Sequence, residues 1–122
     1  VRLFLYGTLA EAQTLARCGG RPLRATPLPA RLAGFERVQL RGTRYPTLRR
    51  APRATVEGML ARVTAETMRR LVAYESGRYR RIRVRVGTAR GMAAASCFYG
   101  DAPTRVGWRA AQHHVTLRSR SF

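Results

Sequence analysis

Residues 55–86 read TVEGMLARVTAETMRRLVAYESGRYRRIRVRV, and the hydrophobic period changes twice within them. Thr55 to Val63 is strand-like, with Gly58 in its middle marking a bulge or a close backbone approach. Thr64 then has the chemistry of a helix N-cap and Glu66 suits a first helical turn. Met68, Leu71 and Val72 follow as an apolar stripe at i, i+3 and i+4, which predicts a helix. From Tyr79 the period drops to two: Ile82, Val84 and Val86 alternate with Arg81, Arg83 and Arg85, as in a strand with one buried face and one solvated row of guanidiniums.

The flanking sequence decides whether this strand, helix, strand order repeats regularly. Arg2 to Tyr6 is apolar on both alternating faces, so it is expected to be a central strand with neighbours on both sides. It stops at Gly7. Thr8-Leu9-Ala10-Glu11 fits the T-x-x-E capping box, and Leu9, Ala12, Leu15 and Ala16 continue at helical spacing until Gly19-Gly20, which predicts a short first helix. Arg31-Leu32-Ala33 and Arg37-Val38-Gln39-Leu40 read as short strands around Gly34, joined by a hairpin or a bend. Tyr45-Pro46 reads as loop and Ala93 to Tyr99 as a buried last main strand, while Trp108 to Phe122 is open between helix and strand. Strands dominate and the alternation is irregular. The expected fold is therefore α+β: a mixed, barrel-like sheet of about six strands with two main flanking helices, in a single domain over residues 1–122.

Composition limits the chemistry. The chain has 122 residues and is 45% hydrophobic, enough for one compact unit with a real core. The longest uncharged apolar stretch, Met92 to Tyr99, is far short of the roughly 20 residues that span a bilayer, and no signal-peptide pattern precedes the first strand. No membrane association is expected, and the expected location is cytoplasmic. Cys18 and Cys97 form no C-x-x-C pair and are read as reduced thiols. His113-His114 lacks a second ligand cluster, and adjacent side chains diverge on a helix or a strand, so no metal site is expected. No Walker loop, dinucleotide fingerprint or G-x-S-x-G elbow is present, and no cofactor is expected.

The charge is unusual: 24 basic residues, all arginine, against 6 acidic ones leave a net +18. Such a field attracts polyanions and hastens encounter with anionic ligands. Nucleic-acid binding would favour basic residues gathered on one face among aromatics, yet arginine is spread from Arg2 to Arg120. Compositional bias is the favoured reading, with a nucleic-acid or other acidic partner as the alternative.

One carboxylate stands apart. Extending the stripe of the second helix from Met68 and Leu71 by one further step lands on Glu75, near the helix C-terminus. Desolvation and the negative end of the helix dipole would both raise its pKa and fit it to proton transfer near neutral pH. An ion pair with Arg78, Arg80 or Arg81 would lower the pKa instead, and spacing alone leaves both readings open. Arg80 shares the parity of Ile82 and Val84, which places it on the inner face if the strand already includes it.

Taken in order, LFLYGTL at Leu3 to Leu9, the Arg31 to Phe35 bend, Tyr45-Pro46, Val56-Glu57-Gly58 and LVAYESGRYRR at Leu71 to Arg81 resemble the gamma-glutamylcyclotransferase-like family, including its AIG2-like and gamma-glutamylamine cyclotransferase branches. The resemblance implies a barrel-like sheet and a small-molecule gamma-glutamyl substrate, cleaved by intramolecular aminolysis to 5-oxoproline without a cofactor. It implies substrate binding at Tyr6, Gly7, Thr8 and Leu9 through the turn's backbone, Glu75 behind Tyr74 as the acid/base, and Tyr79 as a cavity-lining residue. The alternative function is a non-catalytic module of the same fold that holds an acidic partner or nucleic acid on its arginine-rich surface. At Thr8 two of these readings compete, because a capping-box Glu11 would occupy the same N–H that a ligand site needs.

Overall fold

The computed structural model describes residues 1–7, 27–42, 46–75, 79–100 and 103–107. The first predicted helix, Cys18, His113, His114 and the segment after Gly107 lie outside them. The described elements are β1 (Arg2–Leu5), β2 (Leu28–Leu40), β3 (Pro46–Arg62), α1 (Ala65–Glu75), β4 (Arg80–Thr88), β5 (Gly91–Tyr99) and β6 (Pro103–Gly107).

The strands lie in the order β3-β1-β5-β4-β2-β6, and a further β2–β3 pairing closes the first five into a barrel, with β6 added along β2. The sheet is mixed because β1 runs parallel to β5, through Leu3↔Ser96 and Phe4↔Cys97, while the other pairs are antiparallel. Closure removes the open edges that would otherwise present unpaired backbone groups. β1 sits between β3 and β5 with Leu3, Phe4 and Leu5 fully buried, as expected of a strand apolar on both faces.

Register sorts the side chains. Phe4 lies opposite Leu60 and Cys97, and Cys97 opposite Ile82, so these residues share one face; Leu3, Ala61, Ser96 and Arg83 share the other. Val86 is buried, Ile82 and Val84 are half-buried against the core, and Arg81, Arg83 and Arg85 are exposed, which is the alternation expected for this strand.

Three local readings are corrected. The residues on either side of Gly34 belong to one strand, bent where Gly34 takes φ of 85° and the register against β3 shifts, so the bend is realised and the hairpin is not. Pro46 opens β3 instead of lying in a loop, and β3 begins nine residues before Thr55. Pairing with Phe35 to Gln39 on β2 holds that first part in the sheet, although its own sequence carries no alternation. Val72, placed on the buried stripe of the helix, is 37% exposed; the buried face is Thr67, Met68 and Leu71.

The helix begins as its sequence requires. Thr64 Oγ1 accepts a hydrogen bond from the Thr67 N–H at 3.0 Å, satisfying one of the donors left open at a helix start. Gly58 is the close approach its position in the strand suggested: a Cβ there would overlap the Leu5 carbonyl oxygen and lie 2.9 Å from Phe4 Cζ.

Candidate functional site

The topology gathers the expected residues at one end of the barrel. β1 and β5 run parallel, so Tyr6 and Gly7 leave the sheet at the same end as Phe98 to Gly100. β4 runs the other way, with Arg80 opposite Tyr99, so Tyr79 enters there too. The helix α1 follows β3, whose last residue Arg62 pairs with Arg2 at the far end, and it finishes just before Tyr79. Glu75, the last residue of α1, is thereby carried back to the end where the turn after β1 begins. Thr8 and Leu9 lie outside the described residues.

Hydrogen bonds to backbone carbonyls tie this end together. The Tyr6 ring is buried and its hydroxyl donates to the Phe98 carbonyl. The Tyr79 hydroxyl donates to the Pro46 carbonyl at 2.6 Å, also in a buried setting. Thr47 Oγ1 donates to the Gly100 carbonyl at 3.0 Å and accepts the Gly100 N–H at 2.9 Å. Each bond links two strands or a strand and its exit, so the aromatic residues of the two motifs brace the rim of the barrel.

Arg37, on β2, was not singled out by the sequence. It is half-buried, and its Nη1 donates to the Tyr6 carbonyl oxygen at 2.7 Å, 31 residues away in the chain. Burial pulls its pKa below the ordinary arginine value, and the negative charge of Glu57 opposes that shift. It remains a cation at any physiological pH. It lines a cleft of about 600 Å³ with Arg31, Glu57, Gly87 and Met92. Nothing in a chain with 24 arginines marks this one, because its partner is a carbonyl that only the fold brings near.

Arg80 is exposed, not inward as its parity suggested; its guanidinium lies over the Tyr99 ring at 5.5 Å from the centroid. Two carboxylates at other positions are paired: Glu36 with Arg49, and Glu66 with Arg70 at 3.3 Å on exposed helix surface; Glu57 is exposed, opposite Arg31 in the β2–β3 register. Among the described residues no three His, Cys, Asp or Glu side chains come together as a metal site would require. Among them, too, no helix is long and apolar enough to cross a membrane.

A small closed barrel of mixed strands, with a strand exit, a tyrosine and a helix C-terminus meeting at one rim, defines the class of fold. The profile of the family described as gamma-glutamyl cyclotransferase, AIG2-like, matches residues 3–115, and the chain belongs to that family. Solved structures agree on the fold. An Arabidopsis thaliana protein solved in solution is 23% identical, with a TM-score of 0.74, over 93% of this chain and 72% of that one. A protein described as gamma-glutamyl cyclotransferase is 18% identical, with a TM-score of 0.70, over 84% of this chain and 68% of the other. An uncharacterized Homo sapiens protein is 20% identical, with a TM-score of 0.71, over the same shares, 84% and 68%. A search of curated proteins finds no match.

Proposed function

We propose that the chain is a cyclotransferase that cleaves a gamma-glutamyl amide or peptide, with Glu75 as the proton relay and the backbone of Gly7, Thr8 and Leu9 as the anchoring site. The observation that carries this reading is the meeting, at one barrel rim, of the Tyr6-Gly7 exit, Tyr79 and the C-terminal end of α1, in a chain of this family. Position 75 follows Leu71 by four residues and Met68 by seven, so helical geometry puts it on the face those two buried residues define. The pairing of Glu36 and Glu66 with arginines elsewhere further favours Glu75 for the role.

The reaction balances on one carboxylate. The substrate α-ammonium gives a proton to Glu75 and becomes an amine, which attacks the γ-carbonyl of the same molecule and closes a five-membered ring. The tetrahedral oxygen gains negative charge, which N–H groups aimed at it stabilise. The protonated Glu75 then hands its proton to the departing nitrogen as the C–N bond breaks. It carries a second proton from the ring nitrogen to the released amine, leaving 5-oxoproline and an ammonium with no net proton exchange. Nucleophile and electrophile share one molecule, so orientation supplies much of the acceleration. Tyr79 and Tyr6 act by holding the rim in shape.

Incubation with a panel of gamma-glutamyl amines and dipeptides should release 5-oxoproline. Glu75→Gln should reduce the rate by about 10²–10⁴-fold, the range for loss of a general acid/base. Activity unchanged in Glu75→Gln would remove the role from that residue.

A second reading, a binding module for acidic partners, has its own observation. A cleft of about 480 Å³ is lined by Arg2, Arg62, Arg81, Arg83 and Ser96 with no carboxylate, and Arg81 Nε donates to Ser96 Oγ at 2.8 Å. Polyanion binding that weakens on replacing Arg81 and Arg83, yet survives Glu75→Gln, would favour this reading. Binding indifferent to those arginines and lost at physiological salt would leave compositional bias.

A further inference from the structure

We infer that Arg37 is a positioning residue that fixes and polarises the Gly7 N–H through the Tyr6 carbonyl. The inference rests on the turn after β1 being the anchoring site, and it adds a residue from another strand to that site. Tyr6 C=O and Gly7 N–H belong to one peptide unit. That unit is planar and trans, since no cis peptide occurs among the described residues, so its carbonyl and its N–H point to opposite sides. Whatever holds the carbonyl therefore aims the N–H.

The Arg37 guanidinium holds it at 2.7 Å, the length of a charge-assisted hydrogen bond. β2 supplies a firm base for the grip: Arg37 lies opposite Leu48, which is fully buried, and its neighbour Val38 is buried opposite Thr47, the residue that binds Gly100. A positive charge on the carbonyl oxygen also draws electron density from the amide nitrogen and strengthens the N–H as a donor. The consequence is a donor aimed before any substrate arrives, on the face of the peptide turned away from Arg37. Preorganisation of this kind matters most for groups that stabilise charge developing in a transition state. Glu57, on the neighbouring strand β3, favours the charged form of the half-buried guanidinium.

The test uses Arg37→Met, Arg37→Lys and, as a control for losing one positive charge, Arg53→Met. In Arg37→Met, kcat/KM for 5-oxoproline release should fall about 10–100-fold. Arg37→Lys should recover part of the loss, and free guanidinium added to an Arg37→Ala variant, which can enter through the cleft that Arg37 lines, should restore activity where it leaves wild type unchanged. The Gly7 amide nitrogen, followed by NMR in the substrate-free protein, should shift upfield in Arg37→Met and stay in place in Arg53→Met. Retention of kcat/KM within twofold, or an unmoved Gly7 resonance, would overturn the inference. If the wild-type protein releases no 5-oxoproline from any substrate, the functional reading fails, and the Gly7 resonance still decides what Arg37 does.

Discussion

Cys97 lies at the centre of the barrel, fully buried on β5 beside Phe4 and Ile82, and burial pushes its thiol well above the usual range. Its thiolate is therefore scarce in the native state, and a thiol reagent should label it only as fast as the protein unfolds, not at the rate of a free cysteine. The same burial has a pH consequence. The native state keeps the proton where the unfolded chain begins to lose it, so the contribution of Cys97 to stability is complete below about pH 8.5, the unfolded thiol value. It declines as pH rises above that point. Denaturant titrations at pH 7 and pH 10 should show a smaller loss of stability for Cys97→Ala than for wild type, and equal losses would contradict this account. Arg37 shows a different limit on sequence reading. Its role is defined by an oxygen 31 residues away, and neither its type nor its spacing distinguishes it from its neighbours.

Element by element, legibility followed the source of each element's stability. The helix and β4 carry their own signals, a capped stripe and a strict alternation, and both form where those signals place them. The start of β3 carries none: Pro46-Thr47-Leu48-Arg49-Arg50 has no apolar alternation, and pairing with Phe35 to Gln39 of β2 holds it in the sheet. Propensity gives way there to tertiary pairing, the ordinary override for strands. For the candidate site, ordered motifs supplied the turn and the carboxylate as candidates, while the brace of carbonyl bonds at that rim was not legible, since each joins residues distant in the chain. Gly58 was legible as a close approach, and its consequence is measurable. A methyl group there meets the backbone of β1, which cannot rotate away, so Gly58→Ala should lose about 3 kcal/mol, at the upper end for overpacking. That corresponds to a fall of roughly 10 °C in Tm for a chain of this size, whereas a change under 2 °C would mean that β1 and β3 shift apart freely.

At the scale of the whole molecule, a net charge of +18 on 122 residues makes self-repulsion a term of its own. Screening lengthens with dilution, to about 30 Å at 0.01 M salt and about 8 Å at 0.15 M. Melting temperature should therefore rise between 10 mM and 300 mM sodium chloride, and a flat or falling response would show that the arginines are neutralised within the fold. The parallel β1–β5 pairing governs how the chain reaches this state. Phe4 meets Cys97, so β1 finds its second neighbour only 93 residues further along. During synthesis the first strand leaves the ribosome long before β5 exists, and it must wait, apolar on both faces, while the intervening residues are made. Refolding should be slow for so short a chain, in the millisecond-to-second range of proteins dominated by distant contacts. The interval before β5 emerges is when association with other chains, or shelter by a chaperone, would decide its yield.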